Sequence, residues 1–100
     1  MDFNKSVRMV VDTGKVELGS DRAVKLALNG TVKLVVVARN MMRDTRRDIE
    51  HYCRIASVPV LEFEGTSIEL GTVCGKPFPV SALSVIDAGH SDILEAAKSG

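Results

Sequence analysis

Leu34-Val35-Val36-Val37-Ala38 is an unbroken apolar run with three adjacent β-branched residues. A strand with one wet face alternates apolar and polar side chains. A run without alternation belongs to a strand covered on both faces, at the centre of a sheet flanked by helices. Downstream, Asp44 to Ala56 reads as a helix with Ile49, Tyr52, Cys53, Ile55 and Ala56 turned inward. Pro59–Phe63 reads as a second strand, opened by a proline where a strand tolerates one. Thr66 and Glu69 then have capping-box spacing, with Thr66 capping a helix and Glu69 reaching back to it. That helix runs to Cys74, with Gly75 just past its end, and Gly71 inside it marks close packing on a neighbour. After the stiff Lys76-Pro77-Phe78-Pro79 loop come a strand at Ser81–Ile86 and a helix at Asp92–Lys98, capped by Ser91.

Upstream, Phe3, Val7, Val10 and Val11 have helical spacing, and Gly14 closes that segment. Val16–Leu18 is a short strand. Ala23, Val24, Ala27 and Leu28 form the apolar stripe of a helix that stops at Asn29-Gly30. Helices and strands therefore alternate throughout. The pattern predicts one α/β domain over residues 1–100, a three-layer α/β/α sandwich on a mixed four-stranded sheet.

Thirteen basic and thirteen acidic side chains cancel, which by itself argues against a nucleic-acid partner. Their distribution does not. Residues 1–50 hold ten Lys/Arg against seven Asp/Glu, a net of +3, and residues 51–100 a net of −3. The basic excess peaks at Arg39, Arg43, Arg46 and Arg47, with Asp44 the only acid among them. Such a cluster is either a solvated helix face or a local anion site. No stretch approaches the length of a membrane-spanning helix, and the start of the chain has no secretory h-region, so a soluble intracellular protein is expected. Cys53 and Cys74 sit among apolar neighbours and read as small buried hydrophobes, not as a disulfide.

Catalytic groups are not apparent. His51 and Cys53 lie two apart on a helix and point in different directions, so they cannot share a metal. Gly71 to Lys76 has a phosphate loop's flavour but only three residues between its glycines, and Pro77 stands where magnesium would need a hydroxyl. Glu62 and Glu64 alternate with Leu61 and Phe63, as on a solvent-facing strand edge. No nucleophile, base and orienting group assemble. The chain reads as a non-enzyme with no cofactor.

Three connections carry the remaining signal. Leu18-Gly19-Ser20-Asp21-Arg22-Ala23-Val24-Lys25 joins a strand to a helix through a glycine, with Ser20 a good N-cap. The free N–H groups of such a helix start suit acceptor-rich ligands. Arg39-Asn40-Met41-Met42-Arg43 follows the central strand. Asn40 either caps the next helix or both donates to and accepts from base edges. Phe78, held between two prolines, either tucks into the core edge or stands out as a platform for an unpaired base. The alternation of elements allows all three connections to lie at one end of the sandwich.

Glu62-Phe63-Glu64-Gly65-Thr66-Ser67-Ile68-Glu69-Leu70-Gly71-Thr72, the Leu34–Asn40 run and Ser81–Asp92 together resemble the L-thirty-e family of archaeal and eukaryotic large-subunit ribosomal proteins. The wider superfamily includes L-seven-Ae and other kink-turn RNA binders. The resemblance covers nearly the whole chain. It implies the same sandwich, a place in the cytoplasmic ribosome beside other ribosomal components, and no membrane partner. Outside the ribosome it implies a monomer. It also implies binding to a kink-turn-like internal loop of rRNA, in which sheared G·A pairs and a sharp bend present base edges and an extruded nucleotide. By position it singles out Gly19, Ser20, Asp21 and Arg22, then Asn40, then Phe78 with Val80 packing on the bend. Lys25, Arg39, Arg43 and Arg46 are the implied phosphate contacts. One departure is local: family members usually carry basic residues just after the glycine turn, where this chain has Ser20-Asp21-Arg22, which shifts weight to Arg22. The competing readings are a stand-alone kink-turn protein of guide-RNA particles and a small-molecule-binding α/β domain.

Overall fold

The computed structural model of the chain describes residues 2–99. In chain order the elements are α1 (Phe3–Thr13), β1 (Lys15–Leu18), α2 (Ser20–Asn29), β2 (Leu34–Ala38), α3 (Arg43–Ile55), β3 (Val60–Phe63), α4 (Ser67–Val73), β4 (Ala82–Asp87) and α5 (Ile93–Ser99). The strands form one mixed sheet in the order β1-β4-β2-β3. β2 is parallel to β3 and antiparallel to β4, and β4 is antiparallel to β1.

All five residues of β2 are buried. Their side chains split between two cores because successive residues of a strand face opposite ways. Leu34, Val36 and Ala38 join Leu83 and Val85 of β4 beneath α1, α4 and α5, where Val7, Val10, Leu70 and Ile93 close the layer. Val35 and Val37 join Ala82 on the other face, against Ala23 and Ala27 of α2 and Ile49 and Cys53 of α3. Three layers result, as the unbroken apolar run predicts. The small Ala23 and Ala27 bring α2 close to the sheet. Ser84 of β4 is also fully buried, and its hydroxyl has no hydrogen-bond partner among the described residues.

Several local expectations are corrected. Ile55 is 70% exposed rather than inward. At about 100° per residue, Ile49, Cys53 and Ala56 share one stripe, and Ile55, two residues beyond Cys53, falls on the far side. Ser20 is the first residue of α2, and the N-cap is Gly19. In the expected capping box only one half forms: the Thr66 hydroxyl accepts from the Glu69 N–H at 3.3 Å. The Glu69 carboxylate lies against Gly65 instead of bonding back to Thr66. At the C-terminus the Ser91 hydroxyl does accept from the Ile93 N–H at 3.2 Å, and it also donates to the Ser6 carbonyl at 2.6 Å, tying α5 to α1. Met1 and Gly100, included in the expected domain, lie outside the described residues.

Gly71 packs as expected. A Cβ placed there would sit 2.1 Å from the Phe78 carbonyl oxygen, so α4 and the loop before β4 touch backbone to backbone. Gly71→Ala is expected to push that loop away and cost about 1–3 kcal/mol. Urea unfolding should show a lower midpoint at unchanged slope.

Candidate nucleic-acid interface

Because β4 runs against both β1 and β2, its first residues meet the last residues of those strands. The connections after β1, β2 and β3 and the one before β4 therefore gather at one end of the sheet. Hydrogen bonds lace them together. The Gly19 N–H donates to the Ala82 carbonyl (2.9 Å), Ala38 to Ser81 (2.9 Å), Arg39 to Gly65 (3.1 Å) and Val80 to Ser67 (2.9 Å). The Ser67 N–H donates to Oδ1 of Asn40 (2.9 Å). Between them lies a depression of about 260 Å³, lined by Ser20, Asn40, Met41, Met42, Ser67 and Ser81 among others.

The start of α2 opens onto this end. Gly19 has φ +113°, a conformation L side chains rarely adopt, and the space where its Cβ would stand is empty to 4 Å. A ligand's backbone or base edge can therefore approach it closely. The first helical bond of α2 runs from the Ala23 N–H to the Gly19 carbonyl. Gly19 has no side chain to cap the turn. The N–H groups of Ser20, Asp21 and Arg22 are thus unspent donors pointing out of the helix start.

Asn40 takes neither of its two expected roles in full. Its oxygen caps α4 through Ser67, not α3. That bond orients the amide and leaves its NH₂ group as a donor at the rim of the depression. Phe78 is 51% exposed, and its ring borders a hollow of about 370 Å³ with Ile68, Pro77 and Pro79. The tucked alternative for Phe78 is set aside. Val80 behaves oppositely. It is 2% exposed and packs in the core with Leu70 and Leu83, so the expected contact of its side chain with RNA is corrected. The two differ in what holds them: Phe78 lies in the loop before the sheet, between Pro77 and Pro79, whereas Val80 is anchored by the bond from its N–H to the Ser67 carbonyl.

The cations divide into free and committed. Lys25, Arg39 and Arg43 are exposed, with no carboxylate within ion-pair distance among the described residues. Arg22 is exposed and lies 3.5 Å from Glu17. Arg46 is half-buried, bonded to Glu62 and 3.7 Å from Glu50. The bond to Glu62, more than any other contact, raises its pKa further above the usual arginine value. Arg46 is therefore a poor phosphate ligand, because its guanidinium already neutralises a carboxylate. Cys53 and Cys74 are free and buried, and burial pushes both thiols up. Among the described residues, no group of His, Cys, Asp and Glu is placed to hold a metal ion, and no helix is long and apolar enough to cross a membrane.

Residues 1–95 match the model of the ribosomal protein L7Ae/L30e/S12e/Gadd45 family. The chain belongs to this family. It is 52% identical over 95 residues to the large ribosomal subunit protein eL30 of Methanocaldococcus jannaschii, covering 95% of this chain and 86% of that one. It is 50% identical over 95 residues to the eL30 of Methanothermobacter thermautotrophicus, covering 95% and 97%. A solved structure of a protein with unknown function from Bacillus halodurans C has the same fold, with a TM-score of 0.83 over 99% of this chain and 98% of that one at 24% identity.

Residues that sequence reasoning did not single out are the exposed apolar Met42 and Ile68, and Ser67 and Ser81, which line the depression with Met42. Ile68 carried a signal. It is apolar, yet it falls off the stripe of Leu70 and Cys74 that the helix buries. Asn40→Ala should destabilise the fold by about 1 kcal/mol, through loss of the α4 cap. Asn40→Asp keeps the accepting oxygen and should unfold at the wild-type urea concentration, while removing the two amide donors.

Proposed function

We infer that this chain is a structural, non-catalytic component of the large ribosomal subunit, and that it binds a kink-turn-like internal loop of rRNA in the cytoplasmic ribosome. The observation that carries the reading is the lacing of Gly19, Asn40 and the Phe78 loop around one depression. The names of the archaeal relatives, at about half identity over nearly the full length, support the ribosomal part.

Each group has a physical role in this reading. The unspent N–H groups at the start of α2 meet the acceptor edges of guanines in the G·A pairs, and open space at Gly19 allows the approach. The Asn40 NH₂ donates to a base edge. Phe78, backed by Ile68 and stiffened by two prolines, receives the extruded base at little ordering cost. Lys25, Arg39, Arg43 and Arg22 sit on phosphates. Asp21, exposed beside the helix start, accepts from a base amino or imino group rather than facing phosphate. Val80 contributes its backbone by holding the loop, and Arg46 remains with Glu62. Shape and base edges, more than net charge, drive recognition by a chain whose charges cancel.

Binding to a kink-turn RNA should fall sharply when its G·A pairs are replaced by Watson–Crick pairs, and equal affinity for the two RNAs would refute the reading. With three or four free cations in contact, the slope of log K against log salt should be about −3. Phe78→Ala should weaken binding by about 1–3 kcal/mol. Its side chain is half exposed, so the unfolding midpoint should barely move.

A further inference from the structure

β3 is an edge strand. The sheet ends there, and among the described residues no strand pairs with its outer side. On the inner side the Val35 N–H donates to the Pro59 carbonyl, and β2 runs parallel in register from Val35↔Val60 to Ala38↔Phe63. Peptide groups of a strand alternate in direction. Those of Leu61 and Phe63 therefore turn toward β2, and those of Val60 and Glu62 turn outward.

Beside this edge is a concavity of about 490 Å³. Its walls are of two kinds. Phe3 and Leu61 supply apolar surface, Phe63 being almost fully buried, and Glu62, Glu64 and Glu69 are the acidic residues of the lining, with no lysine, arginine or histidine among them. Glu62 is neutralised by Arg46, which reaches it from α3. Glu64 and Glu69 are exposed and have no cationic partner among the described residues. Two unpaired carboxylates beside open backbone donors and acceptors and an apolar wall repel RNA. A second copy of this chain would bring the same glutamates face to face across a paired edge. Charged side chains on an edge strand also serve simply to prevent pairing. Such protection needs no cleft, however, and here the acids stand around an apolar hollow.

We propose that the β3 edge and its acid-lined cleft form a docking site for an extended, cationic segment of another polypeptide, which adds a fifth strand beside β3. Its backbone pairs with the outward groups of Val60 and Glu62. One of its apolar side chains seats against Phe3 and Leu61, and its lysines or arginines sit beside Glu64 and Glu69. The far end of the cleft is Gly65, which accepts the Arg39 N–H. An occupant would thus abut the end of the sheet where Asn40 and Arg39 lie, and the site stands whether or not RNA is bound there.

The test is titration of the full chain with a synthetic peptide of alternating lysine and valine, followed by amide NMR shifts. Saturable shifts confined to Val60–Gly65 and the residues facing Phe3 are expected. Charge reversal at two exposed positions, Glu64→Lys with Glu69→Lys, should weaken binding roughly tenfold or more. A peptide of the same charge with alternate amides N-methylated should also lose binding, since it cannot pair as a strand. No saturable shift at peptide concentrations of about 1 mM would overturn the proposal. So would shifts centred elsewhere, binding indifferent to charge reversal, or full binding by the N-methylated peptide.

Discussion

β4 is inserted between β1 and β2 and runs against both. That single pairing arrangement sets the rest. It brings the start of β4 to the ends of its two neighbours, so connections separated by as many as sixty residues become one surface. The bonds Gly19–Ala82 and Ala38–Ser81 extend the ladder past the strand ends. They fix the positions of loops that would otherwise be free to splay. A slip of β2 by one residue would exchange Leu34 and Val36 with Val35 and Val37 between two cores built from different neighbours, so close packing on both faces fixes the register.

The same end shows how close packing and exposure cooperate. Gly71 lets the Phe78 carbonyl rest on α4, and Val80 is pinned in the core. Phe78 is held between these two anchors and has nowhere to go but outward. An exposed aromatic on a pinned loop loses little entropy when it meets a base. The fold thus contributes rigidity, and the proposed chemistry needs only donors, one ring and a few cations.

Charge is arranged rather than accumulated. Lys25, Arg39 and Arg43 face solvent near the laced loops, while Arg46 is drawn aside by Glu62. The acids collect along β3. A neutral chain can therefore present two surfaces of opposite preference, one suited to RNA and one to cationic polypeptide. Neither would be visible in the net charge.

The sequence by itself determined the layers, because strand and helix periodicities are local and survive without tertiary context. The unbroken Leu34–Ala38 run announced a strand covered on both faces, and Gly71 announced a close approach. Element ends were legible to within a residue or two, since the hydroxyls of Thr66 and Ser91 act over three and two positions. The site was legible as three connections, but not as side chains. Ser20 gave up the cap to Gly19, Asn40 turned its oxygen to α4, Val80 went inward and Arg46 was claimed by Glu62. The Asn40 and Arg46 outcomes depend on residues distant in the chain: Ser67 lies 27 positions from Asn40, and Glu62 lies 16 from Arg46. Pattern reading sees neighbours along the chain. Only the tertiary structure decides which polar groups are consumed by partners across the sheet, and so which remain for a ligand.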